Sequence, residues 1–460
     1  MKTDKVTVIG SGSDLEITTV KKRAREHQLD LVGVSYVDLA GVSRMKTALI
    51  SELDSVLKNG VKTSRGNLAL TSYDQLVHGS SLDISQGDLA IVPDPETFVI
   101  PSYTPKVGRF IGNLHEKDGS LSLICPRSFF SRVIEKASSK DFRFELGFEA
   151  EFHLVKRADN SVAPADYFTT HSQDGFNFHS KIIGEMVDAL RSVRVELEKA
   201  HVEGGHGQLE FDVSHHSGLK PADDMVYFKD AVKAVARNYG YIASFMPKIG
   251  NDWWGTGMHL HMSLWNKSTQ NNLFSDKKDK LGLSKLAYHF IGGILIHLSA
   301  LTAIACPSVN SYKRLLQGKW NADAQVYGAG VRGAAVRIPD ERGKATRIEC
   351  RFPDGSCNPY LALGAILACG LEGIERKVDP GEPLAFDLSF LSNREIREKG
   401  FVLMPRSLRE AVSALEKDDI LKSEMGDLLF REFIMNREHD MSQAADKVTQ
   451  WEVDRFLDVY

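Results

Sequence analysis

Glutamate and histidine recur at a spacing of two in this chain, each time between oily residues. Phe148-Glu149-Ala150-Glu151-Phe152 sends two carboxylates to one side of a strand and apolar groups to the other. Met258-His259-Leu260-His261-Met262-Ser263 does the same with His259, His261 and Ser263, and Arg347-Ile348-Glu349-Cys350-Arg351-Phe352 with Arg347, Glu349 and Arg351. Glu203 and Glu210 flank the turn Glu203-Gly204-Gly205-His206-Gly207-Gln208-Leu209-Glu210. One such glutamate alone reads as a solvated surface residue. Several on one surface repel unless cations neutralise them. Hard oxygen ligands with a single imidazole, His259, suit Mg²⁺ or Mn²⁺ better than zinc.

Arginines form the second group. Arg332, Arg337, Arg347 and Arg351 fall close together, and Arg314 sits in Asn310-Ser311-Tyr312-Lys313-Arg314-Leu315. Surface ion pairs would explain such a row, but guanidinium also grips phosphate and carboxylate bidentately. No Walker loop is present. Gly10-Ser11-Gly12 lacks the third glycine of a dinucleotide loop, Leu15 standing in its place. Metals held by carboxylates, with nearby arginines, point to ATP handled on a sheet surface, where cations neutralise the charge developing in phosphoryl transfer.

The elements that position these groups read as α+β. Residues 1–15 read as a loose extension. Residues 16–122 read as a small β-rich domain, with a helix over 18–27, a strand-rich run over 31–50, and a further strand over 88–94. Residues 123–460 alternate short strands with longer helices, predicted over 177–199, 222–245, 283–306 and 359–376, outside a mostly antiparallel sheet. The apolar run 286–306 contains His289 and His297 and reads as a buried helix rather than a membrane span. With 460 residues, 42% of them hydrophobic, the chain can bury a large core. A net charge of −4 without a basic patch argues against nucleic acid as partner. Five cysteines without regular spacing argue against a disulfide framework; with no signal-like N-terminus, a reducing cytoplasm is expected.

Four segments together resemble the type I branch of the glutamine synthetase family over roughly residues 20–460. They are Gly147–Phe152, Gly255–Ser263, Asn310–Leu315, and Arg347–Asp354 followed by Asn358-Pro359-Tyr360. The resemblance implies an N-terminal β-grasp domain and a catalytic domain with a curved antiparallel sheet flanked by helices. It implies a homo-oligomer, a dodecamer of two stacked hexameric rings with active sites between neighbours. It implies that ATP phosphorylates the γ-carboxylate of L-glutamate and that an amine displaces phosphate. Glu151, Glu203 and Glu210 are then expected to hold a first metal; Glu149, His259 and Glu349 a second. Arg314, Arg351 and the Gly255 backbone would bind glutamate. Arg332 would meet the transferred phosphate, with Glu349 and Arg351 beside the reacting groups. His261, Ser263, Arg337, Lys344 and Arg347 would contact the nucleotide.

Departures from the family pattern concern the amine. The flap glutamate falls on Trp320, counted without gaps from Asn310. The asparagine before Gly-Ser-Gly-Met-His is replaced by Trp254. The loop that supplies a carboxylate to the neighbouring subunit is not recognisable, although a count back from Asp88 lands on Asp74. Ammonium needs negative charge around a small hydrated cation, whereas indole favours a larger, less polar amine. An apolar alkyl- or arylamine is therefore expected in place of ammonia. An ordinary ammonia-using enzyme and a catalytically inactive ring protein are the alternatives.

Overall fold

The computed structural model describes residues 14–158, 161–317, 324–386, 388 and 391–459. Gly10-Ser11-Gly12 and Trp320 lie outside these described residues.

The N-terminal sheet holds β1 (Leu31–Val37), β2 (Ser43–Leu49), β3 (Val61–Ser64), β4 (Asp88–Pro93) and β5 (Val107–His115), in the order β2-β1-β5-β4-β3. β1 and β5 run parallel and the other pairs antiparallel. The first helix spans Asp14–Glu26, starting ahead of the predicted residue 18. Its Val20 and Ala24 join Val56 of the helix Leu53–Asn59 in the buried core.

The second sheet holds β6 (Phe142–Ala158), β7 (Ser161–Pro164), β8 (Leu197–Val202), β9 (Gln208–His216), β10 (Ile242–Ser244), β11 (Met258–Asn266), β12 (Ala324–Ala329), β13 (Ala334–Ile338) and β14 (Ile348–Cys350). Its main path runs β12-β13-β14-β11-β6-β9-β8, antiparallel except between β12 and β13. The expected α+β class, a small sheet domain followed by a large sheet flanked by helices, holds. β6 is not short: over 17 residues it buries Phe144, Leu146, Phe148, Ala150, Phe152 and Leu154 on one side. Met258, Leu260, Met262 and Leu264 of β11 are buried likewise. Because side chains alternate, this apolar row forces Glu149, Glu151, His259 and His261 onto the opposite face.

Three predicted helices differ. The one expected over 177–199 spans Gln173–Ser192, and the residues beyond it form β8. It stops without a glycine: Arg194 takes a left-handed φ of 60°. The one expected over 222–245 spans Lys220–Asn238 and gives way to β10. The apolar run 283–306 is two helices, Lys285–Ile296 and Leu298–Ala305, bent by 73°. At the break, His297 Nδ1 lies 2.6 Å from Asp418 Oδ2. No single helix among the described residues is long and apolar enough to cross a membrane. The predicted 359–376 helix is present as Pro359–Arg376, capped by Asn358, whose side chain accepts from the Tyr360 and Leu361 N–H groups. All five cysteines are buried and free.

The helix Pro359–Arg376 packs against Lys285–Ile296 at backbone distance. A Cβ on Gly293 would lie 2.2 Å from the Cys369 carbonyl oxygen. Gly293→Ala is therefore expected to cost about 2–3 kcal/mol and to lower the thermal unfolding midpoint. Gly184→Ala, on the exposed face of Gln173–Ser192 with nothing within 4 Å, should be neutral or slightly stabilising. Equal effects of the two would contradict this packing.

Candidate active site

Register brings the polar faces into one array. Across β6, β9, β11 and β14, Glu149 stands opposite both His259 and Asp212, Glu151 opposite Glu210, and His261 opposite Glu349. β13 adds Arg337 opposite Glu349. His259 lies at the centre: Nδ1 is 3.0 Å from Glu149 Oε2 and 3.6 Å from Glu349 Oε1, and Nε2 is 3.7 Å from Glu151 Oε1.

Ligand-forming atoms of Glu149, His259 and Glu349 fall within 4.8 Å of one another, the set expected for the second metal. Those of Glu151, Glu210 and His259 form another such set. Glu203, expected with Glu151 and Glu210, lines the same cavity but is not in their set. Following the end of β8, its carboxylate groups with His171 and His201 instead. The donors, mostly carboxylate with one imidazole, fit Mg²⁺ or Mn²⁺ at the first two sets.

The electrostatics favour cations there. Burial first, then the charges of Glu151, Glu149, Glu203 and Asp212, push Glu210 up to about 10. Burial also opposes ionisation of Glu149, but the hydrogen bonds of His259 and His261 outweigh it and hold Glu149 well below the usual carboxylate range. Glu349 is likewise buried, yet the Arg351 charge pulls it down. Its two oxygens accept from Arg351 and Arg337. Arg347 Nε donates to His261 Nδ1 at 3.1 Å, so that nitrogen carries no proton. His261 Nε2–H then donates to Glu149 Oε1 at 2.9 Å.

Two cavities meet at Glu149. One, of about 720 Å³, is lined by the carboxylates with Gly255, Trp254, Arg314, Arg332 and Arg351. The other, of about 390 Å³, is lined by His261, Ser263, Lys344 and Arg347. Arg337 lines the first, apart from the expected nucleotide group. Arg314 is buried and donates to the carbonyl oxygens of Phe352 (2.8 Å) and Arg351 (3.0 Å). Arg351 Nε donates to the Arg332 carbonyl at 2.8 Å. Arg347 precedes β14 rather than lying in it. Asp74 lies in neither cavity; its exposed carboxylate pairs with Arg44 at 2.7 Å.

Several groups at the site were not anticipated. Gln208 is fully buried: its Nε2 donates to Glu151 Oε2 (2.9 Å) and the Gly255 carbonyl (3.0 Å), while its Oε1 accepts from the Gly205 N–H (2.8 Å). One amide thus ties a carboxylate of the array to both loops of the substrate cavity. Lys199, which donates to Asp212 at 2.6 Å, and His201 also line the larger cavity. Lys199, His201 and Glu203 follow a spacing of two, a strand signal hidden by the overlong predicted helix. Trp254 rests on Gly204, where a Cβ would lie 2.5 Å from an indole carbon. Trp253 instead packs edge-on against His153, centroids 5.4 Å apart.

Known proteins share this architecture. The glutamine synthetase catalytic domain profile matches residues 123–456, and the glutamine synthetase N-terminal domain profile matches residues 16–121. The chain belongs to the glutamine synthetase family. It is an ATP-dependent carbon–nitrogen ligase, as the family resemblance implied. It is 34% identical to the glutamine synthetase of Thermotoga maritima over 96% of this chain and all of that protein. It is 32% identical to the glutamate–methylamine ligase of Methyloversatilis universalis, over 81% of this chain and 85% of that protein. The solved GmaS/ADP complex superposes with a TM-score of 0.86 at 32% identity, covering 95% of this chain and 99% of that one.

The carboxylate array makes metal binding pH-dependent in a defined direction. Glu210 has a folded value of about 10 against a usual 4.5. Without metal the folded state therefore carries no penalty from this group below the usual value, and a growing one as pH rises towards about 10. A bound cation relieves it. The gain in unfolding temperature from Mg²⁺ over EDTA should be larger at about pH 9 than at about pH 6. An equal gain at both would contradict it.

Proposed function

We propose that this ligase joins the γ-carboxylate of L-glutamate to an organic primary amine, an apolar alkyl- or arylamine, through γ-glutamyl phosphate, releasing ADP and phosphate. Trp254 carries the reading. Its indole lines the substrate cavity beside Glu203 and Arg314, where the family pattern has asparagine. An apolar ring favours a substrate with carbon to bury and supplies none of the negative charge that a small hydrated ammonium ion needs. Trp320, at the flap glutamate's position in sequence, adds to the same argument. Likeness to the glutamate–methylamine ligase agrees with it, while the comparable likeness to the Thermotoga maritima glutamine synthetase favours ammonia as the alternative.

In this reading Glu149, His259 and Glu349 hold the divalent ion nearer ATP. Glu151 and Glu210, with His259 within reach, hold the ion nearer glutamate, joined by Glu203 when it turns inward. Bound Mg²⁺ or Mn²⁺ supplies charge neutralisation at the transferred phosphate. Arg332 provides a further cation there. Arg314, Arg351 and the Gly255 backbone orient glutamate, and Gln208 keeps Glu151 and Gly255 in register. His261, Ser263, Lys344 and Arg347 receive the nucleotide from the smaller cavity, and Arg337 reaches it from the larger. The amine must attack unprotonated, which a weakly basic amine achieves without the flap carboxylate.

We extend the reading to a homododecamer of two hexameric rings. Asp74, which lines neither cavity of its own chain and is exposed, then serves a neighbour on leaving Arg44.

Trp320→Glu and Trp254→Asn each restore a polar group of the family pattern. Either is expected to raise kcat/KM for ammonia relative to methylamine by about tenfold or more, equivalent to about 1.4 kcal/mol. An unchanged ratio in both variants would show that the tryptophans pack without selecting.

A further inference from the structure

Three groups on the rim of the larger cavity are not needed by the ligase chemistry as a set. His201 Nε2 lies 3.5 Å, and His171 Nδ1 3.7 Å, from the same oxygen of Glu203. The two imidazole rings are 5.5 Å apart at 44°. One nitrogen of each ring and one carboxylate oxygen fall within 4.8 Å of one another. Ligands bound tetrahedrally at about 2.0–2.1 Å stand about 3.3 Å apart, so small side-chain rotations close this set around an ion. Its composition differs from the carboxylate-rich array beside it: two imidazoles and one carboxylate suit Zn²⁺ or Co²⁺ rather than Mg²⁺.

The backbone at His171 supports the assignment. This residue adopts a left-handed φ of 53° just before Ser172, the cap of the helix Gln173–Ser192. A non-glycine residue there costs on the order of 1 kcal/mol. The conformation brings the imidazole across to β8, where Nδ1 meets the Val202 carbonyl oxygen at 3.0 Å. A backbone carbonyl that takes one ring N–H is the usual means of fixing the tautomer and aim of a metal-binding histidine, and with Nδ1–H on Val202 the nitrogen left to bind an ion is Nε2, which a turn of the ring brings towards Glu203.

We propose that His171, His201 and Glu203 form a separate cation site, for a borderline divalent ion such as Zn²⁺ or Co²⁺, on the rim of the substrate cavity. The site does not depend on which amine the ligase uses. It competes with the catalytic array through Glu203, the carboxylate that the family pattern gives to the first metal. An ion on the rim holds Glu203 away from Glu151 and Glu210, so Zn²⁺ acts as a brake that excess Mg²⁺ does not reproduce.

The test is a Co²⁺ titration of the full-length protein kept in excess Mg²⁺, followed by visible absorption and by equilibrium dialysis. A single further Co²⁺ per chain is expected, with the intense absorption of a low-coordinate site. His171→Asn and His201→Ala should each weaken it by at least about tenfold. Asparagine tolerates the left-handed backbone, so His171→Asn removes the imidazole without straining the loop. Three results would overturn the proposal. One is no additional Co²⁺ in the unaltered protein. Another is undiminished binding in both variants. The third is binding weakened by His201→Ala alone, which would place the ion on His201, Glu210 and Asp212, a neighbouring set within the same reach.

Discussion

Repulsion among carboxylates confined to one sheet face is the constraint on which this molecule is organised. Glu149, Glu151, Glu210 and Asp212 occupy two neighbouring strands in direct register, and Glu349 and Glu203 close the array from either side. They cannot turn away, because the opposite faces of the same strands are filled by Phe148, Ala150, Phe152, Leu209 and Phe211. Slipping a strand by one residue to relieve the charge would put that apolar row into the cavity. The hydrophobic core thus holds the acids together, and compensation must come from cations. Arg337 and Arg351 supply part of it to Glu349, hydrogen bonds from His259 and His261 support Glu149, and divalent ions are suited to supply the rest.

Much of this was legible in the sequence, for a local reason. Alternation is a property of consecutive residues, so Glu149/Glu151 and His259/His261 could be placed on one face before any pairing was known. Glu149, His259 and Glu349, expected to share a metal, are brought within ligand reach of one another. What could not be read depends on distant partners or on unmarked backbone. Gln208 looks like a turn residue until Glu151 and Gly255 are seen at hydrogen-bond distance. Arg194 ends a helix in a left-handed conformation that usually calls for glycine or asparagine, so the predicted helix ran on to residue 199, into the start of β8, and masked the strand alternation that Lys199 shares with His201. The 73° bend at His297 breaks an apolar run that carries no proline. The placement of Glu203 with two histidines follows from the approach of the loop holding His171, a contact made 32 residues apart in the chain.

On the proposed function, the family scaffold leaves the choice of amine to a few side chains around the array. Trp254 can lie where it does because Gly204 has no side chain, and Gly204 belongs to the same turn that separates Glu203 from Glu210. On the proposed function, metal ligation and amine selection are therefore built on one loop. Altering the indole's seat also moves a carboxylate, which ties specificity to the metal site more closely than either would suggest alone.

The central claim is that the cavity selects carbon-bearing amines over ammonia. A direct competition tests it: the protein with ATP, Mg²⁺ and L-glutamate receives ammonia, methylamine and aniline together at equal concentrations of free base, and the products are separated by mass. The account predicts γ-glutamyl alkyl- or arylamide as the main product, with glutamine near background. Glutamine as the main product would contradict it and leave an ammonia-using enzyme with tryptophan in its cavity.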